Sequence, residues 1–156
     1  MVQEGINSLV EEKADILKNQ QVTREEEADI LKRTLADIEK GNVFWLVAEV
    51  DGEVIANSDL RPRQGYSSHV GEIGMVVKRN YRDIGIGMEL LKGLISQAKT
   101  LGLAILTLSV FASNKRAIHI YEKAGFTEIG RVPHGFLKDG QYIDEIIMVK
   151  ELNKSD

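Results

Sequence analysis

Val70-Gly-Glu-Ile-Gly-Met-Val-Val-Lys-Arg-Asn-Tyr-Arg-Asp-Ile-Gly-Ile-Gly87 is the stretch around which the rest of the chain is arranged. Its first part, with Ile73 to Val77 at its centre, is β-rich. An arginine and two glycines follow in a turn, and Met88, Leu91, Leu94, Ile95 and Ala98 then recur at the 3.6-residue period of an amphipathic helix. Strand, glycine turn and helix make an anion-binding arrangement. The first N–H groups of a helix have no intrahelical acceptor and together carry roughly half a positive charge. Gly85 and Gly87 let the backbone come close to a ligand. The spacing excludes two phosphate-binding motifs. A nucleoside-triphosphate loop needs Lys-Ser/Thr after its last glycine, where Met88-Glu89 stand, and a dinucleotide fingerprint needs a third glycine where Leu90 stands.

With 156 residues and 43% hydrophobic content, the chain is long enough to bury one full core and too short for two typical domains. A single domain over residues 1–156 is expected. Cysteine is absent, which excludes disulfides, thiolate metal sites and a cysteine nucleophile. The histidines (His69, His119, His134) are widely separated and lack carboxylates at ligand spacing, so no metal site is expected. A net charge of −4 argues against a nucleic-acid partner. No apolar run is long enough to span a bilayer and no signal-like segment opens the chain, so a cytoplasmic protein without membrane contact is expected.

Ile6, Leu9, Val10, Ala14 and Leu17 predict a helix near residues 4–18. Thr23-Arg-Glu-Glu26 has the form of a capping box and opens a second helix at about 23–40, with Ala28, Leu31, Leu35 and Ile38 as its apolar face and Gly41 as its stop. Residues 43–50 and 53–60 are β-rich and joined by Asp51-Gly52, a pair suited to a type I′ hairpin. Residues 61–68 form a polar loop. Beyond Gly102, residues 103–110 read as a strand buried on both faces, so that strand, helix and strand form a βαβ crossover. Ser113 to Phe126 reads as a capped helix closing on Gly125. Asp139-Gly140 joins β-compatible arms at 130–138 and 141–150, where Pro133 requires an edge or a bulge and one of Asp144 and Glu145 must point inward. The exposed edge suggests a homodimer.

Arg82-x-x-Gly85-x-Gly87 resembles the acetyl-CoA signature of the GNAT superfamily of N-acetyltransferases. Asn114, Ala117, Tyr121, Gly125 and Phe126 resemble that family's second motif, in the family's order and at its separation. Together the likeness covers about residues 20–150, in the style of the phosphinothricin and amino-acid acetyltransferases. Asp83 departs from the pattern, placing a carboxylate where many relatives have glycine, and Arg79 replaces a common proline.

The resemblance implies an α/β fold, with a twisted mixed sheet, parallel only between its central strands, and helices on both faces. A first strand would normally precede the first helix, but nothing strand-like precedes Ile6, so either the chain is truncated or the sheet lacks that strand. The implied reaction moves an acetyl group from acetyl-CoA to a primary amine of a small molecule or amino acid, without metal. The rivals are a peptide or protein amine as acceptor and a non-catalytic acyl-CoA-binding module. Cofactor contacts are implied at Met75, Val76 and Val77, at Arg82, Asp83, Ile84, Gly85, Ile86 and Gly87, and at Asn114 and Tyr121. The backbone N–H of Val77, or of Val76, would polarise the thioester carbonyl. Tyr121 matches the tyrosine proposed to protonate the CoA thiolate, and Glu72 the glutamate that could deprotonate the ammonium. Ser109 stands where the branch acting on ribosomal-protein termini tends to carry a glutamate, which favours a small acceptor. His119 and His134 are alternative bases, with His119 expected to be exposed.

Overall fold

The computed structural model describes residues 23–152. The expected helix at 4–18, and the question of a strand before it, lie outside the described residues. In chain order the elements are α1 (Arg24–Glu39), β1 (Phe44–Val50), β2 (Glu53–Pro62), β3 (Val70–Val77), α2 (Ile86–Thr100), β4 (Ile105–Phe111), α3 (Lys115–Lys123), β5 (Thr127–Lys138) and β6 (Gln141–Glu151), with short 3-10 turns at Gly65–Ser67 and Arg79–Tyr81. The strands form one sheet in the order β1-β2-β3-β4-β6-β5. Only β3 and β4 are parallel, as the crossover through α2 requires.

Local chemistry sets the element boundaries. Thr23 Oγ1 accepts from the Glu26 N–H at 3.2 Å while Glu26 Oε2 accepts from the Thr23 N–H at 2.8 Å, the reciprocal capping box. Of the expected apolar face of α1, Leu31 and Ile38 are half-buried while Ala28 and Leu35 are exposed; Ile30, Thr34 and Ala36 are half-buried beside them, as are Glu27 and Asp37, which corrects the expected face. Both Asp-Gly pairs have positive φ at each residue, 50° and 80° at Asp51-Gly52 and 51° and 75° at Asp139-Gly140, as a type I′ turn demands. β5 is an edge strand, and its register against β6 shifts between Val132 and Phe136, so Pro133 has both the edge and the bulge it needs. Asp144 Oδ1 accepts from the His134 N–H at 3.0 Å within that bulge.

Leu60, Ile73, Leu106, Leu108, Ile146 and Met148 share one face of the sheet and meet Leu91, Leu94 and Ala98 of α2 and Tyr121 of α3 in a single core cluster. Leu60, Leu91, Leu94 and Leu106 are fully buried, and burying a side chain of this size contributes about 1.5–3 kcal/mol. The opposite face carries Asp59, Arg61, Glu72, Thr107 and Ser109 at the alternate positions.

Candidate active site

The central strands separate. β3 is registered to β4 only through Val70–Ile105, Gly71–Leu106 and Glu72–Thr107, after which β3 stays with β2 as far as Val77 while β4 stays with β6 as far as Phe111. Backbone groups in an antiparallel pair point alternately towards and away from the partner strand. Arg63 N–H donates to the Val70 carbonyl and Lys78 N–H to the Ile55 carbonyl, which turns the even-numbered groups of β3 towards β2. The N–H and C=O groups of Met75 and Val77 therefore face the gap left by β4, and those of Val76 do not. Sequence alone left Val76 and Val77 undecided; the ladder phase separates them. In the gap the Val77 carbonyl accepts from Arg82 Nε at 2.8 Å, so the motif arginine pins the turn to the end of β3.

At the far side of that turn, Gly85 is the N-cap of α2 at φ 93°, with no side-chain cap. Glu89 N–H makes the first intrahelical bond, to the Gly85 carbonyl at 3.1 Å, which leaves the N–H groups of Ile86, Gly87 and Met88 without an intrahelical acceptor. A Cβ on Gly85 would have open space around it, whereas one on Gly87 would lie 3.4 Å from Met75 Cε. An uncapped, glycine-opened helix start beside a gap in the sheet has the donor chemistry a pyrophosphate needs.

These features border one cleft of about 1280 Å³. Leu46 and Ala48 of β1, Met75, Val76 and Val77 of β3, residues Arg82 to Leu90, and one side of α3 from Asn114 to Lys123 line it. Met75, Val76, Val77, Arg82, Asp83, Ile84, Gly85, Ile86, Gly87, Asn114 and Tyr121 are thus brought together. Glu72 is not among the lining residues. It lies on the face opposite the core, where Arg63 holds its Oε1 at 2.7 Å.

Asn114 caps α3, its Oδ1 accepting from the Ala117 N–H at 3.1 Å. Tyr121 is 5% exposed, with its ring edge-on to Phe126 at 5.9 Å between centroids. Burial pushes the phenol up to about 12, and the negative charge of Asp59 adds to the effect. Tyr121 therefore keeps its proton across the physiological range. His119 is exposed, as expected, and borders the cleft. His134 lies in the β5 bulge, stacked on Tyr142 with centroids 5.3 Å apart. Ser109 Oγ donates to Glu145, so that carboxylate is tied to the face opposite the core.

Sequence reasoning missed the cations of α3. Lys115, Arg116 and Lys123 border the cleft, and Arg116 Nε meets Asp83 Oδ1 at 3.0 Å. The departure at Asp83 is thereby offset, its carboxylate being paired across the cleft mouth. The signal was present as Lys115-Arg116 directly after Asn114, but only the fold sets it opposite Asp83. Among the described residues, no group of three acidic or histidine side chains is placed to hold a metal ion, and no helix is long and apolar enough to cross a membrane.

The profile of the Acetyltransferase (GNAT) family matches residues 8–126. The chain belongs to the GNAT acetyltransferase family. A relative at 31% identity is the L-amino acid N-acetyltransferase AaaT of Escherichia coli, matched over 74% of this chain and 72% of its own length. The L-methionine sulfoximine/L-methionine sulfone acetyltransferase of Pseudomonas aeruginosa is 27% identical over 73% of this chain and 67% of its own. Among solved structures, the ribosomal-protein-alanine N-acetyltransferase of Brucella melitensis superposes with a TM-score of 0.83 at 27% identity, over 97% of this chain and 92% of that one. The GNAT fold and an acetyl-CoA-dependent acetyltransferase, both implied by the two sequence motifs, hold.

Proposed function

We propose that this GNAT protein acetylates the primary amine of a small, amino-acid-like molecule in the cytoplasm as a single-domain enzyme. The observation that carries the reading is the splay of β3 from β4, closed at one end by the open start of α2 and flanked by a buried, protonated tyrosine. The curated relatives named for L-amino acids and for methionine sulfoximine support the acceptor class.

The residues divide the chemistry among them. Arg82 and the backbone from Asp83 to Gly87 hold the pyrophosphate, Asn114 contacts the cosubstrate beyond it, and Met75, Val76 and Val77 flank the pantetheine arm. The neutral amine nitrogen attacks the thioester carbon, and the N–H of Val77 donates to the developing oxyanion. The C–S bond then breaks, the sulfur takes its proton from the Tyr121 hydroxyl, and the nitrogen's surplus proton leaves through water towards Glu72. With a phenol near 12 and a thiol near 8.5, full transfer to a free thiolate is uphill, so Tyr121 acts while the C–S bond is breaking.

Thiol release from acetyl-CoA, measured against a panel of free amino acids, other small amines and N-terminal peptides, tests the assignment. Turnover with free amino acids supports it. Turnover confined to peptides moves the acceptor to a protein terminus, and acetyl-CoA binding without turnover under any amine replaces the enzyme by a sensor. The exposed Ile129, Val132 and Leu137 on the edge strand β5 further support a homodimer, and a monomer mass by light scattering at micromolar concentration overturns it.

A further inference from the structure

If acetyl transfer to an amine is correct, the acceptor has to reach the gap between β3 and β4 from the face of the sheet opposite α2, because the cosubstrate cleft occupies the helix side. That face carries Asp59, Glu72 and Glu145; Glu145 is taken up by Ser109, and the other two are not equivalent. Glu72 stands where the strands are still registered, opposite Thr107. Its side chain is 54% exposed and its Oε1 is taken by Arg63 at 2.7 Å. Asp59 stands one strand step further along, directly across from Gly74, where β3 has already left β4. Asp59 and Glu72 are diagonal neighbours on adjacent strands, so their carboxylates are held from different positions by different arginines.

Gly74 explains where the Asp59 carboxylate goes. With no side chain on β3 at that level, the carboxylate lies over the strand itself: a Cβ on Gly74 would be 2.9 Å from Asp59 Oδ1. Arg61 fixes the other oxygen, with Nε at 2.8 Å from Oδ2, and the Asp59 side chain is 30% exposed, less than Glu72. The charge also reaches across the sheet, since Asp59 contributes to the raised pKa of Tyr121. Tyr121 belongs to the core cluster and borders the helix-side cleft, while Asp59 lies on the opposite face of the sheet.

We propose that Asp59 is the binding residue for the acceptor's ammonium group, receiving one of its N–H donors on Oδ1 over Gly74, with Arg61 as a positioning residue. The acceptor class is a cationic primary amine. Before attack the bound ammonium gives one proton to water, and Glu72 lies on the outward route.

The test compares Asp59→Asn and Gly74→Ala with the wild type, using steady-state kinetics on the best amine of the panel and calorimetric binding of acetyl-CoA. Losing a charge-assisted hydrogen bond should raise KM for the amine about 10–100-fold in Asp59→Asn, with kcat changed less and acetyl-CoA affinity within twofold. Gly74→Ala should displace the Asp59 carboxylate without removing its charge and reproduce part of the KM effect; it serves if Asp59→Asn fails to fold. An amine KM within twofold of wild type in either folded variant overturns the assignment of Asp59 while leaving acetyl transfer intact. A wild-type enzyme that turns over no amine overturns the acetyl-transfer reading and this inference with it.

Discussion

The two sides of the central gap are built from different materials. On the helix side the groups offered to a ligand belong mainly to the backbone: the N–H groups of Ile86, Gly87 and Met88 at an uncapped helix start, and those of Met75 and Val77 along the unpaired half of β3. On the opposite side they are side chains, Asp59 and Arg61 from β2, Arg63 from the loop and Glu72 from β3, joined in two ion pairs. A backbone site needs a particular path of the chain, and that path is encoded by a few glycines at fixed spacing within one turn. A side-chain site needs only that residues distant in sequence converge. The first kind leaves a motif; the second leaves none.

The comparison breaks or sharpens under substitution. The largest effect is expected from Tyr121→Phe, which keeps the ring against Phe126 and removes only the hydroxyl: turnover should fall about 10²–10⁴-fold while acetyl-CoA binding by calorimetry and the melting temperature stay near wild type. Wild-type turnover under conditions where chemistry limits the rate would make the tyrosine a packing residue. Because burial and Asp59 hold its proton up to about pH 12, the wild-type pH–rate profile should show no descending limb from Tyr121 below about pH 10.

Next in size is Gly85→Val. A β-branched residue is strained at φ 93° and its side chain would occupy the approach to the open N–H groups, so acetyl-CoA affinity should fall by at least tenfold in calorimetry. Unchanged affinity in a folded variant would show that the helix start is not the phosphate site. On the acceptor side, Glu72→Gln should lower turnover at neutral pH and regain part of it as pH rises, since more of the amine is then already neutral. A defect that stays constant with pH would remove Glu72 from the proton route.

Two smaller effects follow, one from an ion pair beside the cleft and one from a buried hydroxyl. Asp83→Asn frees Arg116 and removes a negative charge beside the phosphates, so acetyl-CoA affinity should rise a few-fold at low ionic strength and the gain should shrink with added salt. Ser58 is fully buried and its Oγ has no partner, so Ser58→Ala should raise stability by about 1 kcal/mol in chemical denaturation.

Much of the frame was legible because its determinants are local. The type I′ pairs at Asp51-Gly52 and Asp139-Gly140, the capping box at Thr23 and the demand of Pro133 for an edge or a bulge depend on residues a few positions apart, and each is met. The apolar face of α1 is only half as its sequence predicts, since Leu31 and Ile38 are half-buried but Ala28 and Leu35 are exposed, and hydrophobicity alone does not choose which arc of a helix turns inward. Lys115 and Arg116 were passed over because a basic pair at a helix start ordinarily faces solvent, and their sequence separation from Asp83 conceals the contact.

The sequence by itself determined the strand–turn–helix at 70–100, the second motif from Asn114 to Phe126 and the parallel crossover between them, and thereby the family. These are short-range patterns of glycine, caps and apolar period, which the backbone obeys wherever it is placed. Only the tertiary structure decided that β3 parts from β4 after Glu72, that Val77 and not Val76 turns its N–H into the gap, and that the Asp59 carboxylate lies over Gly74. Those outcomes depend on register between strands, and register is a property of the pair, held by hydrogen bonds that neither strand's sequence contains.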